Sequence, residues 1–190
     1  SFLFIRDNPE SCGLKADGIE GGANEHSVPG KESQTLEQAK NSPIFWIYSI
    51  SLSANALLIT AVVFHVVSIF HEAGRTAAEA FGYFLPAAIV STTTNVFASW
   101  LTDRIILKPI LLVMLASLLA GCFGFIYLET NWGFWLLVSG FGVSSGLWSV
   151  LQNHTFIRFF GPDHLGQISG FSSSINVFAS AVGPIVFSLG

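Results

Sequence analysis

Charged side chains are scarce in this sequence. Asp, Glu, Lys and Arg make up 11% of its 190 residues, whereas soluble globular domains carry about 25%. From Ile44 to Gly190, almost every ionised side chain lies in a short connection between long apolar runs. Cysteine is also scarce, with two residues, Cys12 and Cys122. This composition excludes an ordinary soluble domain, and it does not indicate a disulfide framework.

The apolar runs are long enough to cross a membrane. A hydrocarbon core of about 30 Å requires roughly 20 helical residues. Inside lipid the backbone must satisfy its own hydrogen bonds, so runs of this length are expected to be helices; barrel strands would alternate in polarity over about ten residues. The sequence therefore predicts an all-α, polytopic membrane bundle with spans at 44–70, 81–101, 109–128, 132–157 and 167–190.

The segment before the first full span is hydrophilic. We interpret residues 1–6 as the end of a preceding transmembrane helix and residues 7–43 as a loop rich in Gly, Ser, Asn and Glu, a composition that cannot bury a core. The chain is thus expected to be a fragment of a longer protein. Thr35 and Gln38 have the spacing of a capping box, which fits either a short surface helix or an exposed loop with a fortuitous match.

Small residues and prolines recur within the spans. Small residues four apart lie on one helix face and allow backbones to approach; such pairs are Gly142 and Gly146, Gly166 and Gly170, and Ala179 and Gly183. Pro86 and Pro184 lie inside predicted spans and are expected to bend them. The pattern predicts a closely packed bundle.

Basic residues are distributed unevenly between the two sides of the predicted bundle. If successive helices alternate in direction, seven of the eight Lys and Arg residues share the side of residues 7–43, and Arg75 alone lies opposite. Basic residues accumulate in cytoplasmic loops of membrane proteins. We therefore expect the 7–43 loop to be cytoplasmic and the protein to lie in a plasma or inner membrane.

The connection between the second and third spans carries the most informative local pattern. Residues 98–109 read Ala-Ser-Trp-Leu-Thr-Asp-Arg-Ile-Ile-Leu-Lys-Pro, which resembles the Gly-x-x-x-Asp-Arg-x-Gly-Arg/Lys loop signature of the major facilitator superfamily. Asp103, Arg104 and Lys108 supply its charges, and its glycines are replaced. Residues 4–14 resemble that family's exit from helix six. Residues 158–170 resemble its helix ten to eleven connection, especially in the oxalate/formate and monocarboxylate carrier branch.

The resemblance implies a place in the family's twelve-helix fold. The chain would hold the end of helix six, the central loop and helices seven to eleven, and it would lack the N-terminal six-helix half. Members of the family are secondary transporters whose two halves rock about a central site. The charges of Asp103, Arg104 and Lys108 would then either bias one conformation through contacts with helix ends or only anchor the topology.

Polar side chains within the spans are the candidate substrate-binding residues: Asn55, His65, Asn95, Trp148 and Asn176. Each has a second interpretation. The asparagines could instead hydrogen-bond between helices, and Trp148 could fill the bundle. His65 could carry a coupling proton, bind substrate, or bond to a neighbouring helix as a neutral ring. Span 81–101 holds no arginine, so either a carboxylate substrate takes its counter-charge from the N-terminal half, or the substrate is not such an anion.

Two functions from different classes fit these features. The first is secondary active transport of a small organic solute, such as a monocarboxylate or a related metabolite. The second is a non-transporting membrane sensor or partner-binding subunit on the same scaffold. An enzyme is not expected, because carboxylates, histidines and cysteines do not cluster at membrane depth. The expected partners are the lipid bilayer, the solute, a coupling proton and the N-terminal half; no metal, cofactor or nucleic acid is expected.

Overall fold

The computed structural model describes residues 33–102 and 106–188, and every regular element in these ranges is a helix. The helices are α1 (Leu36–Asn41), α2 (Pro43–Glu72), α3 (Ala77–Gly82), α4 (Phe84–Thr102), α5 (Leu107–Ile126), α6 (Asn131–Phe160) and α7 (Leu165–Ser188). The predicted all-α class is confirmed. The predicted helix end at 1–6, most of the 7–43 loop, and Asp103 and Arg104 lie outside the described residues.

Five helical stretches are long and apolar enough to cross a membrane. They are α2, α3 together with α4, α5, α6 and α7, and they contain 20 to 30 residues each. At 1.5 Å per residue, even the shortest covers about 30 Å. The prediction of a polytopic helical membrane bundle is confirmed. The observed helix bounds differ from the predicted spans by a few residues at each end.

The second membrane-length stretch is interrupted at Tyr83, between α3 and α4. Pro86 has no amide hydrogen, so the carbonyl of Gly82, four residues earlier, loses its usual helical partner. The Ala87 N–H donates to the Tyr83 carbonyl at 3.2 Å, which carries the hydrogen bonding across the break. Pro184, by contrast, lies inside α7, which continues to Ser188.

α6 is the central helix, because α4 and α5 both pack against it through glycines. A Cβ added to Gly140 would lie 2.6 Å from Cα of Gly121 on α5, and one added to Gly142 would lie 2.8 Å from Val90 on α4. A Cβ added to Gly146 would press on the Ser91 carbonyl of α4. The absence of side chains lets these backbones approach. The predicted helix contact through Gly142 and Gly146 is confirmed.

The remaining helix, α7, packs mainly against α2. Gly183 lies directly against the Leu57 carbonyl of α2, so the predicted contact at the Ala179–Gly183 pair is confirmed at Gly183. Gly166 and Gly170 make no such contact within residues 33–102 and 106–188, since a Cβ at either position would meet nothing there within 4 Å. The predicted contact at this pair is therefore not formed between the described helices.

Buried apolar side chains form two clusters, one toward each end of the bundle. The cluster at the end that holds α1 (the α1 end) includes Phe45, Leu52, Met114, Leu151 and Phe160. The cluster at the opposite end (the Arg75 end) includes Val66, Phe70, Leu118, Leu137 and Phe141. At the depth between them, α2 carries Asn55 and α6 carries Ser144, and both are fully buried.

α1 is the short helix that the capping-box spacing allowed. The Thr35 N–H donates to Oε1 of Gln38 at 2.9 Å, and the Gln38 N–H donates to Oγ1 of Thr35 at 3.4 Å. Ala39 is fully buried against the α1-end cluster. The preceding residue Gln34 donates its N–H to the Phe160 carbonyl at 2.9 Å. These contacts fix α1 across the ends of α2 and α6.

Arg75 joins two connections at the opposite end. Its Nε donates to the Leu128 carbonyl at 2.6 Å and its Nη2 to the Thr130 carbonyl at 2.9 Å. Its Nη1 forms an ion pair of 2.9 Å with Glu79, and the guanidinium lies 5.4 Å from the ring centroid of Phe134. The α2–α3 turn is thereby tied to the α5–α6 turn.

Gly140→Ala is expected to lower the free energy of unfolding by about 1–3 kcal/mol, because the new methyl group would meet backbone that cannot move aside. The matched control is Gly170→Ala, which adds a methyl group in open space and should stabilise the helix by about 0.5–1 kcal/mol. Thermal unfolding of both variants in the same detergent measures the difference. Equal midpoints for the two variants would contradict the close α5–α6 packing.

Candidate functional site

A ladder of hydroxyl and amide groups joins α2 to α7 in the α1-end half of the bundle. Ser49 donates from Oγ to Oγ of Ser172 at 3.1 Å, and Ser53, one turn later, donates to Oδ1 of Asn176 at 2.6 Å. All four residues are buried. Since polar groups in an apolar medium are costly unless paired, these bonds specify the register of α7 against α2.

Asn176 extends this ladder to α6. Its Nδ2 donates to Oε1 of Gln152 at 3.0 Å, and Nε2 of Gln152 donates to Oγ of Ser173 at 3.2 Å. Both ends of the Asn176 carboxamide are therefore bonded, one to α2 and one to α6. In this conformation Asn176 acts as a link between three helices.

Trp148 makes a second link between α6 and α2. Its indole Nε1 donates to the Leu52 carbonyl at 3.0 Å, and its ring packs against the α1-end apolar cluster. The Trp148 side chain therefore packs between α6 and α2, and its one polar group is already hydrogen-bonded.

Two buried side chains of α2 have unpaired polar atoms, Tyr48 at its hydroxyl and Asn55 at both atoms of its amide. Asn55 is the one at the depth between the two apolar clusters. It is 0% exposed, and neither its Oδ1 nor its Nδ2 has a hydrogen-bond partner. It lies one turn beyond Leu52 on α2, and Ser144 lies one turn from Trp148 on α6, so both face the depth between the two apolar clusters. An unpaired buried amide costs about 1–3 kcal/mol. The position is therefore energetically unfavourable in this conformation.

The two other predicted site residues lie apart from this group. Asn95 is on α4, where its Nδ2 approaches the Gly146 carbonyl of α6 at 3.4 Å. His65 lies ten residues after Asn55 on α2, which is about 15 Å along the helix. Its Nδ1 is 3.1 Å from the Ala61 carbonyl of its own helix, and its ring lies 6.2 Å from that of Phe187 on α7. The structure thus brings together Trp148 and Asn176, with Asn55 a turn away, and separates His65 from them.

A polar, partly exposed face of α6 was missed in the sequence. It consists of Ser145, Ser149 and Gln152, each of which is neither buried nor fully exposed. Successive residues are turned by about 100° around a helix axis. On one side of the two serines lie Gly142 and Gly146, which contact α4. On the other side lie Trp148, which bonds to α2, and Gln152, which bonds to α7. The signal was present, since polar residues at spacings of four and three mark one helix face. Ser173 of α7 accepts a hydrogen bond from Gln152 and adjoins this face. We call the three α6 residues together with Ser173 the polar face.

Membrane-depth charges do not contribute to this region. Among residues 33–102 and 106–188, charged side chains lie near helix ends or in connections. Arg158, near the end of α6, donates from Nη1 to the Thr102 carbonyl that ends α4, at 2.8 Å. Lys108 is exposed in the first turn of α5. In the same described ranges no group of His, Cys, Asp and Glu could hold a metal ion. The polar face therefore offers neutral hydrogen-bonding groups.

Comparison with known families adds the decisive observation. Residues 2–184 match the family model of the Major Facilitator Superfamily. The chain belongs to this superfamily. No curated protein matches it. The superfamily resemblance seen in the loop at 98–109 is confirmed, whereas the oxalate/formate and monocarboxylate branch stays a prediction.

Membership in the superfamily, together with five membrane-length helices, makes this an integral multi-pass membrane protein of a transporter family. Its lipid-facing surface is apolar, as the exposed side chains Phe64, Leu85, Leu119 and Phe178 illustrate. Contact with the bilayer follows from these exposed faces.

The two buried asparagines generate a paired prediction. Asn55→Leu should stabilise the protein by about 1–3 kcal/mol, because it removes an unpaired amide. Asn176→Leu should destabilise it, because Ser53 and Gln152 lose partners worth about 0.6 kcal/mol each on average in membranes. Thermal unfolding midpoints in detergent measure both effects. If Asn55→Leu destabilises the protein as much as Asn176→Leu does, the Asn55 amide is paired through solvent.

Proposed function

We propose that the protein is a secondary active transporter that moves a small organic solute by alternating access. The observation that carries this proposal is the polar face of α6. Serine hydroxyls and a glutamine amide at mid-membrane would be costly against lipid, so a polar face with partial exposure indicates an aqueous path or a bound solute. The superfamily to which the chain belongs supports the same conclusion.

The proposed solute site lies along the polar face. Trp148 borders it on the side of α2, and Asn95 borders it on the side of α4. Asn176 and Gln152 already bond to each other, and each carboxamide keeps one further N–H and one further lone pair that a solute can use. Asn55, fully buried, can reach the solute only in a conformation in which α2 and α6 separate. Of the five residues predicted from the sequence, Trp148 and Asn95 are thus wall residues and Asn176 is a helix link, whereas Asn55 needs a second conformation and His65 lies apart from the site.

The chemistry of the polar face favours a solute recognised by hydroxyl and carboxamide groups. A monocarboxylate or a related metabolite satisfies this condition through its oxygen atoms, since Ser and Gln side chains donate hydrogen bonds to carboxylates. The full negative charge of such a solute would require a cation from outside the helices described. We infer that the other half of the transporter supplies it.

We propose that the end of the bundle with α1 and Lys108 faces the cytoplasm of a plasma or inner membrane. The distribution of basic residues supports this orientation. Asp103, Arg104 and Lys108 would act there on the conformational equilibrium, because in the sequence they belong to the connection between α4 and α5 and its border. Labelling of a cysteine at Thr130 by an impermeant reagent from the cytoplasmic side would contradict this orientation.

The transport proposal predicts that Ser149→Leu raises KM or abolishes uptake, because it replaces a hydroxyl of the polar face by an apolar side chain. Ser139→Leu is the matched control: it is the same change on α6, at an exposed serine whose Oγ bonds to the Trp135 carbonyl. Both variants should be reconstituted in vesicles and tested with a panel of small organic acids and neutral metabolites under an imposed gradient.

A saturable uptake that Ser149→Leu impairs and Ser139→Leu preserves supports the proposal. Equal activity of the two variants would remove the polar face from the solute path. If a solute binds and no uptake occurs under any gradient, the protein is a sensor on a transporter scaffold.

We further propose that His65 carries the coupling proton. Its Nδ1 can donate to the Ala61 carbonyl, which leaves Nε2 as an acceptor for a proton. His65→Gln should abolish accumulation driven by a pH gradient and preserve solute exchange, because exchange needs binding and rocking without net proton movement.

His154→Gln is the control for this variant, since His154 has its Nδ1 2.9 Å from the Val150 carbonyl of its own helix in the same way. Accumulation and exchange are measured for both variants in the same vesicles. Unchanged pH-driven accumulation in His65→Gln would assign coupling to another residue, and loss of exchange as well would assign His65 to binding or folding.

A further inference from the structure

An apolar groove of about 250 Å³ opens between α4 and α5. Phe97 and Leu101 of α4 form one wall, Pro109 and Val113 of α5 form the other, and Val143 and Leu147 of α6 form the floor. The groove begins next to the connection between α4 and α5 and extends inward over about two helical turns. It lies on the far side of α6 from Trp148 and Gln152, and it is not part of the polar face.

The groove results from how α6 positions its two neighbours. Gly142 and Gly146 hold α4 close to one side of α6, while Gly140 holds α5 close to another. Val143 and Leu147 fall between these glycine contacts. Because α4 and α5 each pack against α6 and hardly against each other, a furrow remains above these two side chains. Its walls are partly open to the surroundings, with Phe97 62% and Val113 52% exposed.

Among the described residues, the end of the groove at the start of α5 carries positive charge. The first residue before α5, Ile106, provides no side-chain cap, and the first turn of α5 holds no acid. A helix N-terminus carries a partial positive charge and favours anions. Lys108 is exposed in this same turn. Its full positive charge is repelled by the partial positive charge of the helix N-terminus. An anion at this end would relieve this repulsion.

We propose that the groove binds one acyl chain of an anionic phospholipid, with the phosphate of its headgroup at the start of α5. The apolar walls suit a hydrocarbon chain, and the electropositive end suits a phosphate. In a membrane the abundant anions at this depth are phospholipid headgroups, which basic residues at helix ends bind. The lipid would fill the space between α4 and α5 and brace both helices against α6.

The test measures lipid retention by native mass spectrometry of the full-length protein in detergent. The probes are phosphatidylglycerol and phosphatidylcholine with the same acyl chains. Val113→Trp places an indole in the groove, and Leu112→Trp is the control, because Leu112 is the neighbouring residue, 66% exposed, and does not line the groove. Lys108→Gln tests the headgroup contact, with Lys108→Arg as its charge-preserving control.

We expect the wild-type protein to retain phosphatidylglycerol in preference to phosphatidylcholine, and Leu112→Trp and Lys108→Arg to behave like it. Val113→Trp should lose the retained lipid. Lys108→Gln should reduce the preference for phosphatidylglycerol about fivefold, the effect of one basic residue at a membrane surface. If Val113→Trp does not fold, Phe97→Trp fills the groove from the opposite wall and replaces it.

Three results would overturn the proposal. Equal retention by Val113→Trp and Leu112→Trp would show that lipid does not occupy the groove. Equal retention of the two lipids by the wild-type protein would remove the headgroup contact. A dimer that Val113→Trp dissociates without changing lipid retention would assign the groove to contact with a second copy of the chain. None of these results depends on transport activity.

Discussion

The close approach of backbones at the glycines of α6 is the constraint on which the rest of the bundle depends. Gly140 brings α5 onto α6, and Gly142 with Gly146 brings α4 onto another side of the same helix. Within lipid there is no hydrophobic force between apolar helices, so short-range packing of this kind must hold them together. The positions of these glycines around α6 determine which directions remain for its other side chains. Ser145 and Ser149 face one gap between the neighbouring helices, and Val143 and Leu147 face another. The polar face and the apolar groove are therefore two results of one packing arrangement.

Hydrogen bonding holds the other side of the bundle by a different means. The α2–α7 pair is joined by bonded side chains, Ser49 to Ser172 and Ser53 to Asn176, and Gln152 ties this pair to α6. Side-chain hydrogen bonds between membrane helices contribute only about 0.6 kcal/mol on average, so each one can be exchanged at modest cost. The α4–α6 and α5–α6 contacts thus depend mainly on glycine packing, whereas the α2–α7 contact combines these hydrogen bonds with one glycine approach, at Gly183.

The sequence predicted the elements well, because membrane helices require long apolar runs, and these are visible in one dimension. It also predicted the contact through Gly142 and Gly146, and it allowed the capping box at Thr35 as one of two interpretations, because both features depend on local spacing. It could not predict which polar side chains are paired. Asn55 and Asn176 look equivalent in sequence, yet one is unpaired and the other makes two bonds, because pairing depends on the register between helices distant in the chain.

The same limit explains the other differences. Gly166 and Gly170 have the spacing of a contact pair, but none of the helices α1 to α6 comes within 4 Å of a Cβ built at either position. Ser145, Ser149 and Gln152 attract little attention in an apolar run, since a serine alone is a common filler of helix contacts. Their common exposure becomes evident only when α4, α2 and α7 are placed around α6. The candidate site therefore needed the fold before its residues could be grouped.

Arg75 has a mechanical consequence for any motion of this bundle. One guanidinium bonds to the Leu128 and Thr130 carbonyls at once, so separating the α2–α3 turn from the α5–α6 turn would break both bonds together. Linked ends of this kind act as a pivot: helices joined there diverge most at their far ends. A small rotation about the Arg75 end, carried over the length of a 30-residue helix such as α2, becomes a displacement of several ångströms at the α1 end.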